Sequence, residues 1–169
     1  MTFSLSTYKA ALVYPIGKPP RTAVLGRWFR SKDPVRAFDG WTPEAAAFRP
    51  QAIAGTRAQL LELAHRPPEV THALIAVAHP GDAPLTAADR DLLWRAFHVP
   101  VFEQVIAESG VLLAAECEAH DGLHLHAAAL PGYALDPAPC ACGSSKPRLI
   151  PKKPADRAQT TAVSAARAL

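Results

Sequence analysis

Cys117, His120, Cys140 and Cys142 are the side chains of this sequence whose types and spacing point most directly to chemistry. Cys117-Glu118-Ala119-His120 is followed, after 19 intervening residues, by Cys140-Ala141-Cys142-Gly143, and the group takes up all 3 cysteines of the chain. Three thiolates and one imidazole complete a tetrahedral shell, the arrangement that holds structural zinc with no position left for water or substrate. Gly143 is free to take the positive-φ turn that brings the second pair of sulfurs onto one ion. A single buried cysteine reads as a small hydrophobe, and a single histidine beside a turn as a surface polar group. Three thiols at C-x-x-H and C-x-C spacing read instead as metal ligands. An iron–sulfur cluster on the same four residues is the alternative. His124 and His126 alternate along the segment after Asp121-Gly122, and either is an alternative to His120 as the fourth ligand.

The elements that must position these ligands follow from the hydrophobic pattern. Tyr8 to Ile16 is apolar and β-compatible, and Thr22-Ala23-Val24-Leu25 begins a second extended piece after the Lys18-Pro19-Pro20 break. Trp28, Phe29, Phe38 and Trp41 supply anchors in a stretch of less definite structure, with a helix start at Thr42-Pro43-Glu44. Thr56 with Gln59 forms a capping box ahead of Leu60, Leu61, Leu63 and Ala64, and Pro67-Pro68 ends that helix. Ala73 to Ala78 is a short continuous apolar run between turn signals, as expected of a strand buried on both faces. A second capping box, Thr86 with Asp89, opens a helix with Leu92, Leu93, Ala96 and Phe97 on one side. Strands are expected from Val101 and over Leu112 to Cys117, and Asp121-Gly122 turns the chain into Leu123-His124-Leu125.

Alternating strands and helices with short connections define an α/β domain. The expectation is a single small domain over residues 1–150, with a partly parallel sheet flanked by helices and a zinc-clamped C-terminal hairpin and turn. A chain of 169 residues buries a sufficient core without dividing in two.

The net charge of +3 is unevenly spread. Residues 143–169 carry 6 Lys and Arg against the single Asp156, and the rest of the chain stands at −2. Residues 151–169, with Pro-Lys-Lys-Pro and then small residues, offer too little apolar surface to offset their ordering entropy, and a basic, disordered tail is expected there. Lys152, Lys153 and Arg157 have no aromatic neighbours to stack on bases, so nucleic-acid binding through the tail is a secondary reading. No apolar run is long enough to span a bilayer, and Met1-Thr2-Phe3-Ser4-Leu5 has neither the basic nor the long apolar region of a secretory leader. A cytoplasmic protein without a membrane partner is expected. In that reducing setting an odd cysteine count favours ligands over disulfides.

The segment from Gly55 to Leu149 resembles the phenylacetate-CoA ligase-like branch of the adenylate-forming, or AMP-binding, superfamily. The resemblance is carried by Gly55-Thr56 with Leu60-Leu61-Glu62-Leu63-Ala64 and by Trp94-Arg95-Ala96-Phe97-His98-Val99-Pro100-Val101-Phe102. More specific are Glu116-Cys117-Glu118-Ala119-His120-Asp121-Gly122-Leu123-His124, then Pro139-Cys140-Ala141-Cys142-Gly143 with Pro147-Arg148-Leu149. It implies an α/β scaffold and a zinc bound by cysteine and histidine.

Several catalytic motifs that the resemblance implies are not matched. Residues 1–50 contain no phosphate loop, and Val105-Ile106-Ala107-Glu108-Ser109 stands where the family has an aromatic-Gly-x-Thr-Glu motif. Only 15 residues separate His124 from Cys140, where the family has a longer stretch with a ribose-binding aspartate, and the domain with a catalytic lysine has no match. Without those groups, an adenylyl transition state is neither positioned nor stabilised.

The leading expectation is therefore a zinc-binding, non-catalytic, ligase-like protein that acts as an adaptor or subunit through protein contacts. The alternatives are an enzyme completed by a partner chain and a basic-tailed nucleic-acid-binding protein. Glu108 is the one candidate catalytic carboxylate. A zinc hydrolase would need an open metal position with Glu116 or Glu118 as base, and the deaminase signature is unmet because Pro139-Cys140-Ala141-Cys142 is one residue short.

Overall fold

A computed structural model describes residues 12–26, 29, 31–127 and 130–152 of the chain. Its first strand, β1 (Thr22–Leu25), is followed by β2 (Val35–Phe38), α1 (Pro43–Ala47), β3 (Ala52–Gly55), α2 (Arg57–Leu63), β4 (Ala73–Ala78) and α3 (Ala87–Phe97). The antiparallel part follows with β5 (Val101–Ile106), β6 (Leu112–Glu116), β7 (Leu123–Leu125), β8 (Tyr133–Asp136) and β9 (Arg148–Pro151). Among the described residues these strands form one sheet in the order β2-β1-β3-β4-β5-β6-β7-β9-β8. Pairing is parallel from β2 through β5 and antiparallel beyond it. The expected α/β domain with a partly parallel sheet is thus the observed one.

The two halves have different covers. β1, β3 and β5 are buried along their whole length, as is β4 up to Val77, which is why β1, β3 and β4 are apolar or small without alternation, whereas β5 carries the buried polar pair Glu103 and Gln104. One face packs on the helices through Ile53, Leu60, Leu74, Leu93 and Phe97. On the other face, Val24, Ile75, Val77 and Ile106 pack with Leu12, Tyr14 and Phe29. A third cluster, with Leu123, Tyr133 and Leu149, belongs to the antiparallel half.

Local signals set the helices. Thr42 caps α1 by accepting from the Ala45 N–H, with Pro43 at the first position. Both capping boxes form: Thr56 with Gln59 on α2, and Thr86 with Asp89 on α3. His98 closes α3 in the left-handed conformation at φ 56°, donating its N–H to the Trp94 carbonyl. Leu93 and Phe97 enter the core as expected, but Leu92 is 47% exposed. It lies outside the core because the apolar stripe of α3 is narrower than the sequence suggested.

The expected strand over Tyr8–Ile16 does not form in its described part, residues 12–16, and residues 8–11 lie outside the described residues. The Val13 N–H donates to Gln104 Oε1 at 3.2 Å, and Gln104 Nε2 returns a bond to the Val13 carbonyl. Val13 therefore satisfies a side chain rather than a strand ladder, which explains how a fully buried Gln104 is tolerated on β5. β2, β3, β8 and β9 are further elements that hydropathy did not reveal. Trp28 and the segment from Lys153 onward lie outside the described residues. Pro151 completes β9, and the Lys152 N–H donates to the Gly132 carbonyl at 2.9 Å.

Candidate metal centre

The cysteines meet at the end of the antiparallel half. Cys117 directly follows β6, while Cys140 and Cys142 sit in the connection from β8 to β9. In that connection Gly143 takes φ 83° and donates its N–H to the Cys140 carbonyl at 2.9 Å, as the spacing required. The fourth member is His124, in the middle of β7. One donor atom from each of Cys117, His124, Cys140 and Cys142 lies within 4.8 Å of the other three.

The separations fit a metal. Cys117 Sγ is 3.6 Å from Cys140 Sγ, and Cys142 Sγ is 3.4 Å from His124 Nε2. Zinc–sulfur and zinc–nitrogen bonds at tetrahedral angles place two sulfurs about 3.8 Å apart, and a sulfur and a nitrogen about 3.6 Å apart. His124 is buried, and its Nδ1 has no hydrogen-bond partner. Nε2, the ring nitrogen that faces Cys142, is the one placed to bind an ion, and the unpaired Nδ1 on the far side of the ring costs about 1–3 kcal/mol. Burial pushes the Cys117 thiol up to about 12, whereas the Cys142 backbone N–H draws the Cys140 thiol down. Cys140 is accordingly the readier thiolate, and a cation must displace the proton from Cys117.

Arg148 supplies positive charge beside the sulfurs. It stands opposite His124 in the β7–β9 ladder, and its guanidinium bonds Asp121 and, at 2.6 Å, Asp136. The guanidinium, itself paired with these two carboxylates, also helps to draw the Cys140 thiol down. Gly122, at φ 83°, lets the loop pass close to β9: a Cβ there would lie 2.9 Å from the Leu149 carbonyl oxygen.

The structure therefore gathers three of the four residues singled out by spacing and leaves His120 apart. His120 has φ 51°, its ring stacks on Phe102 with centroids 4.7 Å apart, and its Nδ1 is 3.1 Å from Glu116 Oε1. His126 is exposed. Glu108 is exposed in the turn from β5 to β6, and Glu118 is exposed in the loop after Cys117. Strand alternation was the signal for His124: in Leu123-His124-Leu125 the imidazole faces away from the side that buries Leu123.

On that opposite side lies a cleft of about 430 Å³ between α3 and the antiparallel strands. Its floor holds Glu103 and Glu116, each 4% exposed. The Glu103 N–H donates to Glu116 Oε2 at 2.8 Å, and the Leu85 N–H donates to Glu103 Oε1 at 3.1 Å. Arg90 reaches Glu116 at 3.0 Å and Glu103 at 3.7 Å. Burial raises the Glu103 carboxyl above the ordinary carboxylate range, against the opposing pull of the Leu85 N–H and Arg90. Sequence reading missed this pair because the two glutamates are 13 positions apart and meet only through the hairpin register.

No family model and no curated protein matches the sequence. The fold has a solved counterpart. The crystal structure of an open conformation of 2-hydroxyisobutyryl-CoA ligase, in complex with 2-HIB-AMP and CoA, is similar with a TM-score of 0.54 and 15% identity. The match covers 78% of this chain and 47% of that one, so this chain spans under half of the ligase's length. At this identity the likeness is one of fold: an α/β architecture shared with an adenylate-forming enzyme. Among the described residues no helix is long and apolar enough to cross a membrane.

Proposed function

We infer that this chain is a zinc-stapled, ligase-like α/β protein of the phenylacetate-CoA ligase type, acting as a non-catalytic adaptor or subunit of a larger assembly. The observation that carries the reading is the donor set itself. Three thiols and one imidazole whose donor atoms lie within 4.8 Å of one another supply the four ligands of a tetrahedral shell, and a filled shell stabilises a fold rather than activating water. Cys117, His124, Cys140 and Cys142 hold the ion, and the ion ties β6 and β7 to the β8–β9 connection.

The segment that aligns with the nucleotide motif of the resemblance supports the same reading. Val105 and Ile106 are buried strand residues, and Glu108 and Ser109 lie in a turn in which the Gly110 N–H donates to the Ala107 carbonyl at 2.8 Å. No aromatic ring stands in this stretch to pack on an adenine. ATP–pyrophosphate exchange by the zinc-loaded chain, assayed across a panel of carboxylic acids, tests the proposal. No exchange above background is expected, whereas acid-dependent exchange that disappears on Glu108→Ala would establish an adenylating enzyme instead.

A further inference from the structure

The cleft over the antiparallel strands has a composition that folding does not explain. Glu103 and Glu116 are buried side by side, and like charges facing each other across a hairpin are destabilising. Taking several charged groups out of water is costly, and apolar residues of similar volume do as well or better for stability. Arg90 answers only part of the charge. It lies closer to Glu116 than to Glu103, and its second terminal nitrogen is spent on the Val101 carbonyl at 2.9 Å. Asp91 adds another carboxylate to the lining, so three acids face one arginine and His120, whose Nδ1 is already at Glu116.

A second, independent observation is Tyr133. It is 8% exposed and lines the cleft, and among the described residues its hydroxyl has no hydrogen-bond partner. The hydroxyl feels the charged floor. Burial, then Glu103, holds its ionisation above the ordinary range, with Arg90 acting the other way and Glu116 adding to the rise. The ring is buried while the hydroxyl is reachable from the charged cleft and bonds nothing among the described residues, so it is free to bond a ligand that enters there. Trp94, on α3 and 53% exposed, lines the same cleft beside Pro100.

We propose that this cleft binds a small organic amine as its ammonium ion, held by the Glu103 and Glu116 carboxylates and the Tyr133 hydroxyl, with its carbon skeleton against Trp94 and the neighbouring apolar wall. An ammonium donates up to three hydrogen bonds and accepts none, which matches two carboxylates and a phenolic oxygen. Aromatic rings beside the acids favour an organic cation through cation–π attraction. A bare divalent ion would gain less from those rings, and Arg90 would repel it without the compensation of apolar contact. The cleft is on the opposite side of β7 from the thiols, so this site stands independently of the metal reading.

Titration of the zinc-loaded full chain with benzylamine, compared with benzyl alcohol and with magnesium chloride, tests the proposal by calorimetry. Benzylamine is expected to bind saturably with a Kd on the order of 1 mM or tighter, and benzyl alcohol at least about tenfold more weakly. Tyr133→Phe should weaken benzylamine about threefold while leaving the melting temperature unchanged, because the hydroxyl holds nothing within the protein. Glu103→Gln should weaken it about tenfold. Should that variant fail to fold, Trp94→Ala at an exposed position gives the corresponding loss. Equal binding of amine and alcohol, no amine binding, or amine binding indifferent to Tyr133→Phe would overturn the proposal. So would magnesium binding that displaces the amine and is lost in Glu103→Gln, which would mark an inorganic cation site.

Discussion

His124 and His120 are four positions apart and do different work. His124 sits in a strand and points to the side where the thiols gather, while His120 sits in the loop with its ring on Phe102 and its Nδ1 at Glu116. Replacing a ligand removes a quarter of the shell, and structural zinc contributes directly to folding. His124→Gln is therefore expected to lose most of the bound zinc and to lower the melting temperature by on the order of 10 °C. His120→Gln should keep full zinc occupancy. Metal analysis after dialysis, with thermal unfolding of the same samples, checks both. Sequence spacing identified the thiols because cysteines are few and the C-x-C pair is local. It pointed to the nearer histidine because spacing along a chain does not register a loop that turns back at φ 51°.

At the scale of elements, α3 is tied to α2 through its first turn. Asp89 accepts from the Thr86 N–H and hydroxyl at 2.9 and 2.7 Å, and takes two hydrogen bonds from Arg57 of α2 at 2.8 and 2.9 Å. The Arg57 guanidinium, helped by Thr86 and opposed by burial, holds the Asp89 carboxyl down to about 2. A carboxyl depressed in the folded state contributes stability above its unfolded value and loses it as pH falls through the folded one. Urea unfolding should thus show the wild type losing its advantage over Asp89→Asn between about pH 4 and pH 2, and keeping it near neutrality. At neutral pH the substitution should cost about 1 kcal/mol, with the Arg57 contribution screened because that side chain is 45% exposed.

Both capping boxes and the apolar run of β4 were legible in the sequence because each is a local pattern of strong residues. β3 was not. Ala52-Ile53-Ala54-Gly55 contains one large side chain, and the sheet needs small residues there because Gly55 passes within 3.3 Å of Leu25 at its Cβ position. β8 and β9 pair across an 11-residue connection, so only the folded register reveals them. The expected strand at the N-terminal side is apolar for a different reason: Leu12 and Tyr14 cover a sheet face without joining it.

Across the whole molecule the sheet has two regions with different supports. The parallel region rests on apolar packing against helices, whereas the short strands β7, β8 and β9 have a smaller cluster and the thiol group at their margin. Stability in such a molecule is uneven, and regions with fewer buried apolar contacts open first. Removing metal from the folded chain with a chelator should therefore raise amide exchange in β7, β8 and β9 several-fold more than in β3 and β4, as read by hydrogen–deuterium exchange. A uniform increase would mean that the ion supports the entire sheet. The adaptor reading rests on this same division, with the metal maintaining a region of the fold instead of serving a reaction.

The most direct test of that account is elemental analysis of the purified full chain together with its visible absorption spectrum. About one zinc per chain and no visible absorption is the predicted result for a closed Cys117, His124, Cys140, Cys142 site. Iron with a visible charge-transfer spectrum would contradict it and make the cluster an electron carrier, and a metal-free chain that melts unchanged would remove the metal from the account altogether.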